Sequence, residues 1–227
     1  MIWKCDYEIQ ISSFPKRNYI ALRWYLAYPL SLRHIEEMMQ ERGLTIDHST
    51  INRWVLKYSP LLEAEARKRR RPVLGSWRLD ETYIKVKGKW KYLYRAVDKN
   101  GHTIDFLLTS KRDKAAAGRF LHKAIKNFGI PEKINIDKSG ANKAAIESHN
   151  ELNGLNIVIR QNKYLNNTVE QDHRAIKRIT KPMMGFKSFH SAAKTLAGIE
   201  LIHMIRKGQM AQNSNLPLHQ QFDALAA

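Results

Sequence analysis

Residues 77–86 read Trp-Arg-Leu-Asp-Glu-Thr-Tyr-Ile-Lys-Val and place a carboxylate, Asp80, inside a run of strand-forming residues. The alternation along this run and its β-branched and aromatic residues predict a strand. A carboxylate in mid-strand is costly to bury unless it is paired or binds a metal ion. Glu81, the next residue, points to the opposite face. The alternative is that Asp80 lies at a strand end, faces water and binds nothing.

The residues after this strand predict a sheet that is part antiparallel and part parallel. Further strands are expected at 91–97, 103–109, 133–137 and 155–160. Helices are expected at 113–128, 142–152, 167–180 and 191–207. The first three strands can form a meander, because residues 98–101 form a turn signal. This order of elements predicts an α/β domain with a ribonuclease H-like fold.

Asp137 is a second candidate site residue, at the end of the short apolar strand 133–137. Carboxyl ends of strands are where α/β folds place their ligands. The alternative is that Asp137 caps the helix that follows. Among other acidic residues, Asp98 lies in a turn, Asp113 is expected to cap a helix, and Asp105 could approach Asp80.

Glu170 is the third candidate, on a basic helix that begins near Asn166 and Asn167. His173, Arg174 and Lys177 follow it at i+3, i+4 and i+7 and share its face. One carboxylate beside a row of cations suits a metal ligand next to residues that grip phosphate. His173 is either structural or a DNA contact and is not expected to bind metal. The alternative for Glu170 is an exposed helix with ordinary ion pairs.

Together, Asp80, Asp137 and Glu170 predict a Mg²⁺ site, because hard cations prefer oxygen ligands. The net charge of +18 indicates a phosphodiester substrate. The alternative is that the charge only confers solubility. A single cysteine, Cys5, excludes an intrachain disulfide and a thiolate zinc site. No apolar run reaches the roughly 18 residues that span a bilayer, and no signal peptide is evident, so we expect no membrane partner and a cytoplasmic, nucleoid-associated protein.

The N-terminal part predicts a helix-turn-helix. A first helix is expected from Pro15 to Tyr28, a second from Ser31 to Gly43, and a third that Asp47 or Ser49 caps and Pro60 ends. Two helices joined by a short glycine-containing turn are typical of this motif. Its third helix would enter the major groove and offer DNA a set of polar residues, namely His48, Thr50, Asn52, Arg53 and Lys57. A plain three-helix bundle is the alternative.

A basic run at residues 67–71 then predicts a linker, since neighbouring cations repel one another. In this interpretation Arg69 and Arg70 touch phosphates, whereas the alternative is a solvated helix end. The predicted domains are therefore a helix-turn-helix domain at 1–65, a basic linker at 66–75, a catalytic domain at 76–210 and a tail at 211–227.

The chain resembles the DDE transposases of bacterial insertion sequences, most closely the insertion-sequence-six family, from about residue 14 to 209. The motifs that carry the resemblance are residues 28–33, 41–43, 47–55, 80–83, 92–98, 163–167 and 170–174. The first dozen residues and those after Leu216 depart from the family pattern, which bears on activity and not on fold.

The resemblance implies that Asp80, Asp137 and Glu170 are a catalytic triad that holds two Mg²⁺ ions, with Mn²⁺ as a substitute. It also implies that Lys177 contacts the transposon end. The expected enzyme binds terminal inverted repeats in double-stranded DNA, cuts a strand and joins the end to target DNA, giving cointegrates. It is expected to act as a homo-oligomer. The alternatives are a catalytically decayed DNA-binding regulator and a structure-selective nuclease on the same fold.

Overall fold

The computed structural model describes residues 16–212 and 214–225, except for the side chains of residues 16, 17 and 163. The chain divides into two compact units. The sheet unit is Pro72–Ala175, and the helical unit joins the described residues up to Arg71 with those from Ile176 onward. These units are divided differently from the predicted domains, because residues beyond 175 belong with the N-terminal helices. Among the described residues, no helix is long and apolar enough to cross a bilayer.

The sheet unit is built on five strands in the order β3-β2-β1-β4-β5. Their bounds are β1 Ser76–Val86, β2 Lys89–Asp98, β3 Thr103–Thr109, β4 Lys133–Ile136 and β5 Val158–Gln161. Strands β1, β2 and β3 pair antiparallel, whereas β4 runs parallel to both β1 and β5. An antiparallel meander continued by parallel strands is the ribonuclease H-like arrangement, so the predicted fold class is confirmed.

Helices numbered in chain order complete the described residues. They are α1 Lys16–Ala27, α2 Leu32–Gln40, α3 His48–Lys68, α4 Lys114–Phe128, α5 Gly140–Asn153, α6 Lys163–Thr180, α7 Phe189–Arg206 and α8 Leu218–Ala224. Asp113 caps α4 by accepting a hydrogen bond from the Ala116 N–H at 2.8 Å, as predicted. The start of the first helix predicted at Pro15 lies outside the described residues.

The sheet unit has its core on one face of the sheet. Trp77 and Leu79 of β1 pack there with Ile134 and Ile136 of β4. Phe120 of α4 lies in the same cluster. Odd-numbered β1 residues therefore line this core, which leaves even-numbered ones, Asp80 among them, on the other face.

In the helical unit, α2 and α3 join through a turn in which Gly43 has a φ of +71°. Ile35 and Met39 of α2 pack against Ile51 of α3 in one buried cluster. The cap of α3 is Asp47, whose carboxylate accepts from the Ser49 N–H at 2.7 Å. Of the two caps considered, Asp47 is thus the one observed.

The expectation that Pro60 ends the third helix is wrong, since α3 continues through Pro60 to Lys68. Proline removes one helical hydrogen bond, but apolar burial on both sides of it keeps the helix intact. Val55 precedes it and Leu62 and Ala66 follow it, all fully buried. The burial of these side chains therefore outweighs the tendency of Pro60 to end the helix.

The expectation that the basic run resists packing is also wrong. Arg67 pairs with Glu63, and Glu65 pairs with both Lys68 and Arg69, so acids one turn earlier offset the repulsion. The backbone continues into an antiparallel bridge between Arg70 and Met210. Farther along, the predicted tail contains α8, in which Phe222 is fully buried.

Gly198 marks the tightest helix contact in the helical unit. A Cβ at this position in α7 would lie 2.6 Å from Leu26 Cδ1 of α1 and 2.6 Å from Ser59 Oγ of α3. Leu26 and Ser59 are both fully buried, so neither side chain has free space to move into. Only glycine lets the helices approach so closely.

We predict that Gly198→Ala lowers the free energy of unfolding by about 1–3 kcal/mol, because the added methyl group overpacks the core. Gly118→Ala in α4 is the control, since a Cβ there meets nothing within 4 Å. This control should be neutral or raise stability by up to about 1 kcal/mol through helix propensity. Urea denaturation of both variants checks this, and equal effects would contradict it.

Candidate active site

Asp80 and Asp137 lie on neighbouring parallel strands. The ladder between β1 and β4 pairs Arg78 with Asn135. Asp80 follows Arg78, and Asp137 follows Asn135, by two residues, and Asp137 comes directly after β4. Both carboxylates therefore come just after the end of this parallel ladder.

Helix α6 is fastened to the sheet by polar contacts. Near its start, Asn135 Nδ2 of β4 donates to Asn166 Oδ1 at 2.6 Å, and both residues are buried. Farther along, His173 Nε2 lies 3.2 Å from Asp80 Oδ2. The helix therefore crosses from β4 to β1 over the ends of both carboxylate-bearing strands.

A buried ion pair adds the third attachment of α6. Arg95 Nη2 of β2 lies 2.6 Å from Asp172 Oδ2, and the two side chains are 0% and 7% exposed. Arg95 is also the direct cross-strand partner of Asp80. Asp172 therefore binds the sheet through Arg95.

Glu170 falls between these attachments. It follows Asn166 by four residues and precedes His173 by three, so it shares their side of the helix. Its side chain is exposed, as are Arg174 and Lys177, whereas His173 is buried. The predicted shared face therefore divides into a buried histidine and an exposed carboxylate with two cations.

The three candidate carboxylates do not converge on a point. In the described part of the chain, the group of three potential ligand atoms that lie within 4.8 Å of one another belongs to Glu36, Asp47 and His48. The oxygens of Asp80, Asp137 and Glu170 are more widely spaced than that.

Asp137 has two distinct oxygen environments. Its Oδ1 accepts from the Ser139 N–H at 2.8 Å, just before α5, so the alternative of a local cap describes one oxygen. Its Oδ2 lies 3.8 Å from Arg112 Nη2, and its side chain is 41% exposed. The second oxygen therefore stays accessible to a cation.

Glu81 forms a second acidic position on the opposite face of β1. It pairs with Arg112 Nε and accepts from Asn142 Nδ2 of α5 at 3.1 Å. Burial raises the pKa of the Glu81 carboxyl, while Asn142 and Arg112 act in the other direction. Arg112 therefore links buried Glu81 to the site carboxylate Asp137.

Sequence reasoning missed Arg112 and Asn142. Arg112 lies in a loop whose path no periodicity reports, and Asn142 looks like any polar residue of an amphipathic helix. Asp105, considered near Asp80, is instead bound by Lys123 at 2.9 Å and Asn127 at 3.0 Å, both on α4. Asp98 accepts from backbone N–H groups of its own turn.

The residues predicted to bind DNA differ in their exposure and in their hydrogen-bond and ion-pair partners. On α3, Arg53 and Lys57 are exposed, Asn52 is partly buried, and Thr50 accepts from Arg53 Nη2 at 2.7 Å. His48 is held by Glu36, with Nδ1 2.9 Å from Oε2. Arg69 pairs with Glu65 and donates to the Ala224 carbonyl at 2.7 Å, and Arg70 is partly buried.

Two protein-family models match this chain. A family model described as a DDE domain, of the IS240 type, matches residues 75–209. A model described as transposase IS66 family matches residues 18–131. Both ranges include β1 with Asp80.

Curated relatives match most of the chain. The transposase for insertion sequence-like element IS431mec of Staphylococcus aureus strain Mu50 is 43% identical over 83% of this chain and 83% of its own. The transposase for insertion sequence element IS257 in transposon Tn4003, also of Staphylococcus aureus, gives the same identity and coverage.

Among solved structures, the HTLV-2 integrase catalytic core domain in complex with magnesium (dimeric form) is 19% identical, with a TM-score of 0.38. It covers 69% of this chain and 86% of that one. At this TM-score the likeness carries no weight for function.

The strand order is that of a ribonuclease H-like fold, and the DDE domain match and the transposase relatives make the chain an enzyme of the polynucleotidyl transferase class. The chain belongs to the DDE transposases of insertion sequences, as the DDE domain match and the 43% identical relatives establish.

We predict that Asp172→Asn lowers the free energy of unfolding by about 3–5 kcal/mol, because it removes a buried anionic partner of the buried Arg95 guanidinium. Glu147→Gln is the control, since its pair with Lys143 on α5 is 49% exposed on both sides. Its loss should change stability by less than about 1 kcal/mol. Denaturant unfolding measures the free energy of unfolding of both variants. An Asp172→Asn variant as stable as the control would contradict the assignment of a structural ion pair.

Proposed function

We propose that the protein binds the terminal inverted repeats of an insertion sequence and catalyses Mg²⁺-dependent strand cleavage and strand transfer into target DNA. The observation that supports the proposal is that the parallel ladder of β1 and β4 ends two residues before Asp80 and Asp137, while His173, on the helix that bears Glu170, contacts Asp80. The Staphylococcus aureus relatives are named as transposases of insertion sequences, which supports the substrate class.

The donor set fits a divalent hard cation. Asp80 and Asp137 offer carboxylate oxygens from adjacent strand ends, and Glu170 offers a third from a solvent-facing side chain. Mg²⁺ prefers such oxygen ligands and keeps several waters, which suits an open site. We expect two ions, with Mn²⁺ as a substitute. Bound there, they would stabilise negative charge on the attacking and leaving oxygens of a phosphodiester.

The chain's own residues have separate tasks in this mechanism. His173 orients Asp80 through its contact with Oδ2. Arg112 balances the charge of Asp137 from the Glu81 side. Arg174 and Lys177 extend the exposed face of α6 and grip backbone phosphates, with Lys177 at the transposon end.

The reaction has two balanced transfers. Water attacks the phosphodiester at the element's end, the bond to the 3′ oxygen breaks, and that oxygen leaves as a 3′-OH. This hydroxyl then attacks a target phosphodiester, forming a new bond while a target 3′ oxygen leaves. A homo-oligomer would hold two ends together, and the expected product is a cointegrate formed in the cytoplasm on nucleoid DNA.

Recognition of the repeat is assigned to α3 of the helix-turn-helix. Arg53 and Lys57 are exposed and stand four residues apart on one side of the helix. Asn52 and Thr50 flank them, while His48 is held by Glu36 and would contact DNA with its remaining ring edge. Arg69 and Arg70, which directly follow α3, would contact phosphates only where the end of this helix meets the DNA backbone.

We predict that Asp80→Asn, Asp137→Asn and Glu170→Gln each lower strand transfer by more than about a hundredfold, since loss of even an outer-shell partner of a metal ligand costs about 10–100-fold. Binding to terminal-repeat DNA should persist. The assay joins labelled repeat ends to a plasmid target with Mg²⁺, and Glu151→Gln, an exposed acid on α5, is the control.

A parent protein that binds the repeat but never cuts or joins would favour the alternative, a catalytically decayed DNA-binding regulator. Cleavage guided by DNA shape without any preference for the repeat would favour the structure-selective nuclease. Full activity in any one triad variant would remove that residue from the proposed site.

We predict that Arg53→Ala reduces the preference for repeat over random duplex by about tenfold, as expected for loss of a base contact. Lys57→Ala should weaken both duplexes alike and reduce the salt slope by about one, as a phosphate contact does. Fluorescence anisotropy at several salt concentrations measures both. Lys126→Ala, an exposed cation of α4, is the control, and parent-like binding by both α3 variants would refute the assignment.

A further inference from the structure

The hairpin formed by β1 and β2 has one buried face and one exposed face. Residues that pair directly across an antiparallel ladder point to the same side, so Tyr83 shares a face with Tyr92, and Lys85 with Trp90. We call these four residues the aromatic hairpin face. The opposite face carries Thr82, Ile84, Val86 and Leu93, which are all buried.

The rings of the aromatic hairpin face form one continuous surface. Tyr83 and Trp90 meet edge to face with centroids 6.2 Å apart, and Tyr83 and Tyr92 are 5.4 Å apart. Tyr83 is 48% exposed and Trp90 is 59% exposed. Because the other face supplies the buried contacts of the hairpin, these rings are available for a ligand.

The charge around the rings points to a polyanion. Lys85 shares the face of the rings and Lys87 lies in the turn beside it, whereas Lys89 and Lys91 pair with Val86 and Ile84 on the opposite face. Residues 82–97 contain no acidic residue. None of the four lysines forms an ion pair within the part of the chain that the structure describes. An apolar protein partner would have to leave these charges desolvated, whereas a nucleic acid would neutralise them.

The rings point more narrowly to unpaired bases. In a duplex the base faces are covered by their neighbours, so aromatic side chains stack only on bases that have left the helix. Stacking rings flanked by cations are the usual means of binding single-stranded nucleic acid without sequence preference.

The aromatic hairpin face lies on the side of β1 opposite to Asp80. Tyr83 follows Glu81 on the same side of β1, roughly 7 Å farther along the strand. Glu81 pairs with Arg112, which also lies 3.8 Å from Asp137 Oδ2. Arg112 therefore connects the side of the sheet that bears the rings with the candidate site residue Asp137.

We propose that Tyr83, Trp90 and Tyr92 bind unpaired bases of the DNA strand next to the phosphodiester being processed, while Lys85 and its neighbours contact the phosphates. The role in processing rests on the proposed function, whereas the binding of unpaired bases can be measured without it. The site would hold one strand of a locally melted transposon end or target apart from its complement.

The test measures binding of the full-length protein to a labelled oligothymidylate of about 12 nucleotides and to a random duplex, by fluorescence anisotropy at two salt concentrations. Trp90→Ala and Tyr83→Ala should each weaken single-strand binding by about tenfold and leave duplex binding within about twofold. The deficit should persist at the higher salt, because stacking releases no counterions.

Two further variants control the test. Trp90→Phe keeps an aromatic ring and should retain most of the single-strand affinity, which separates stacking from misfolding. Leu152→Ala removes another exposed apolar side chain, 82% exposed on α5, and should bind as the parent does.

Three results would overturn the proposal. The first is that both alanine variants bind the single strand as the parent does. The second is that the variants lose equal affinity for the single strand and the duplex. The third is that the variants change oligomeric state in sedimentation without losing affinity for the single strand. The last would mean that a second copy of the chain covers the rings.

Because oligothymidylate binding needs no catalysis, it is scored separately from strand transfer. A parent protein inactive in strand transfer whose Trp90→Ala variant loses oligothymidylate would contradict the proposed function alone. An active parent whose variants bind normally would contradict the hairpin proposal alone.

Discussion

The buried ion pair between Arg95 and Asp172 is the constraint on which the geometry of the site depends. A guanidinium with no solvent exposure needs a matched partner, and Asp172 supplies it from α6. This contact fixes the rotation of α6 about its axis, and thereby turns His173 toward Asp80 and leaves Glu170 facing solvent. A helix held only by apolar packing could rotate or slide by one residue at small cost, and His173 would then lose its contact with Asp80.

The two faces of β1 have different roles in the sheet unit. Even-numbered residues give Asp80 to the candidate active site, while odd-numbered residues give Trp77 and Leu79 to the core and Glu81 to the contact with Arg112. Beyond Glu81 the odd-numbered face emerges into solvent as the aromatic hairpin face. β1 therefore contributes side chains to the core, to the acidic site and to an exposed aromatic surface. Because successive side chains of a strand point to opposite faces, the acidic site is separated from the other two.

Much of this arrangement could be read from the sequence where local signals and packing agree. β3 has the predicted bounds, and α4 begins directly after the predicted cap Asp113 and ends at the predicted residue Phe128. Reading failed where packing overrode a local signal, as at Pro60 inside α3 and at the basic run offset by Glu63 and Glu65. The roles of Arg112 and Asn142 could not be predicted, because both depend on which elements meet in three dimensions.

The central claim is that Asp80, Asp137 and Glu170 together hold divalent cations. A crystal structure of the protein with Mn²⁺, located by its anomalous scattering, tests this most directly. The account predicts Mn²⁺ between the oxygens of Asp80 and Asp137, with the exposed Glu170 side chain turned in to complete the site. Mn²⁺ bound only elsewhere, for example at the group formed by Glu36, Asp47 and His48, would contradict it.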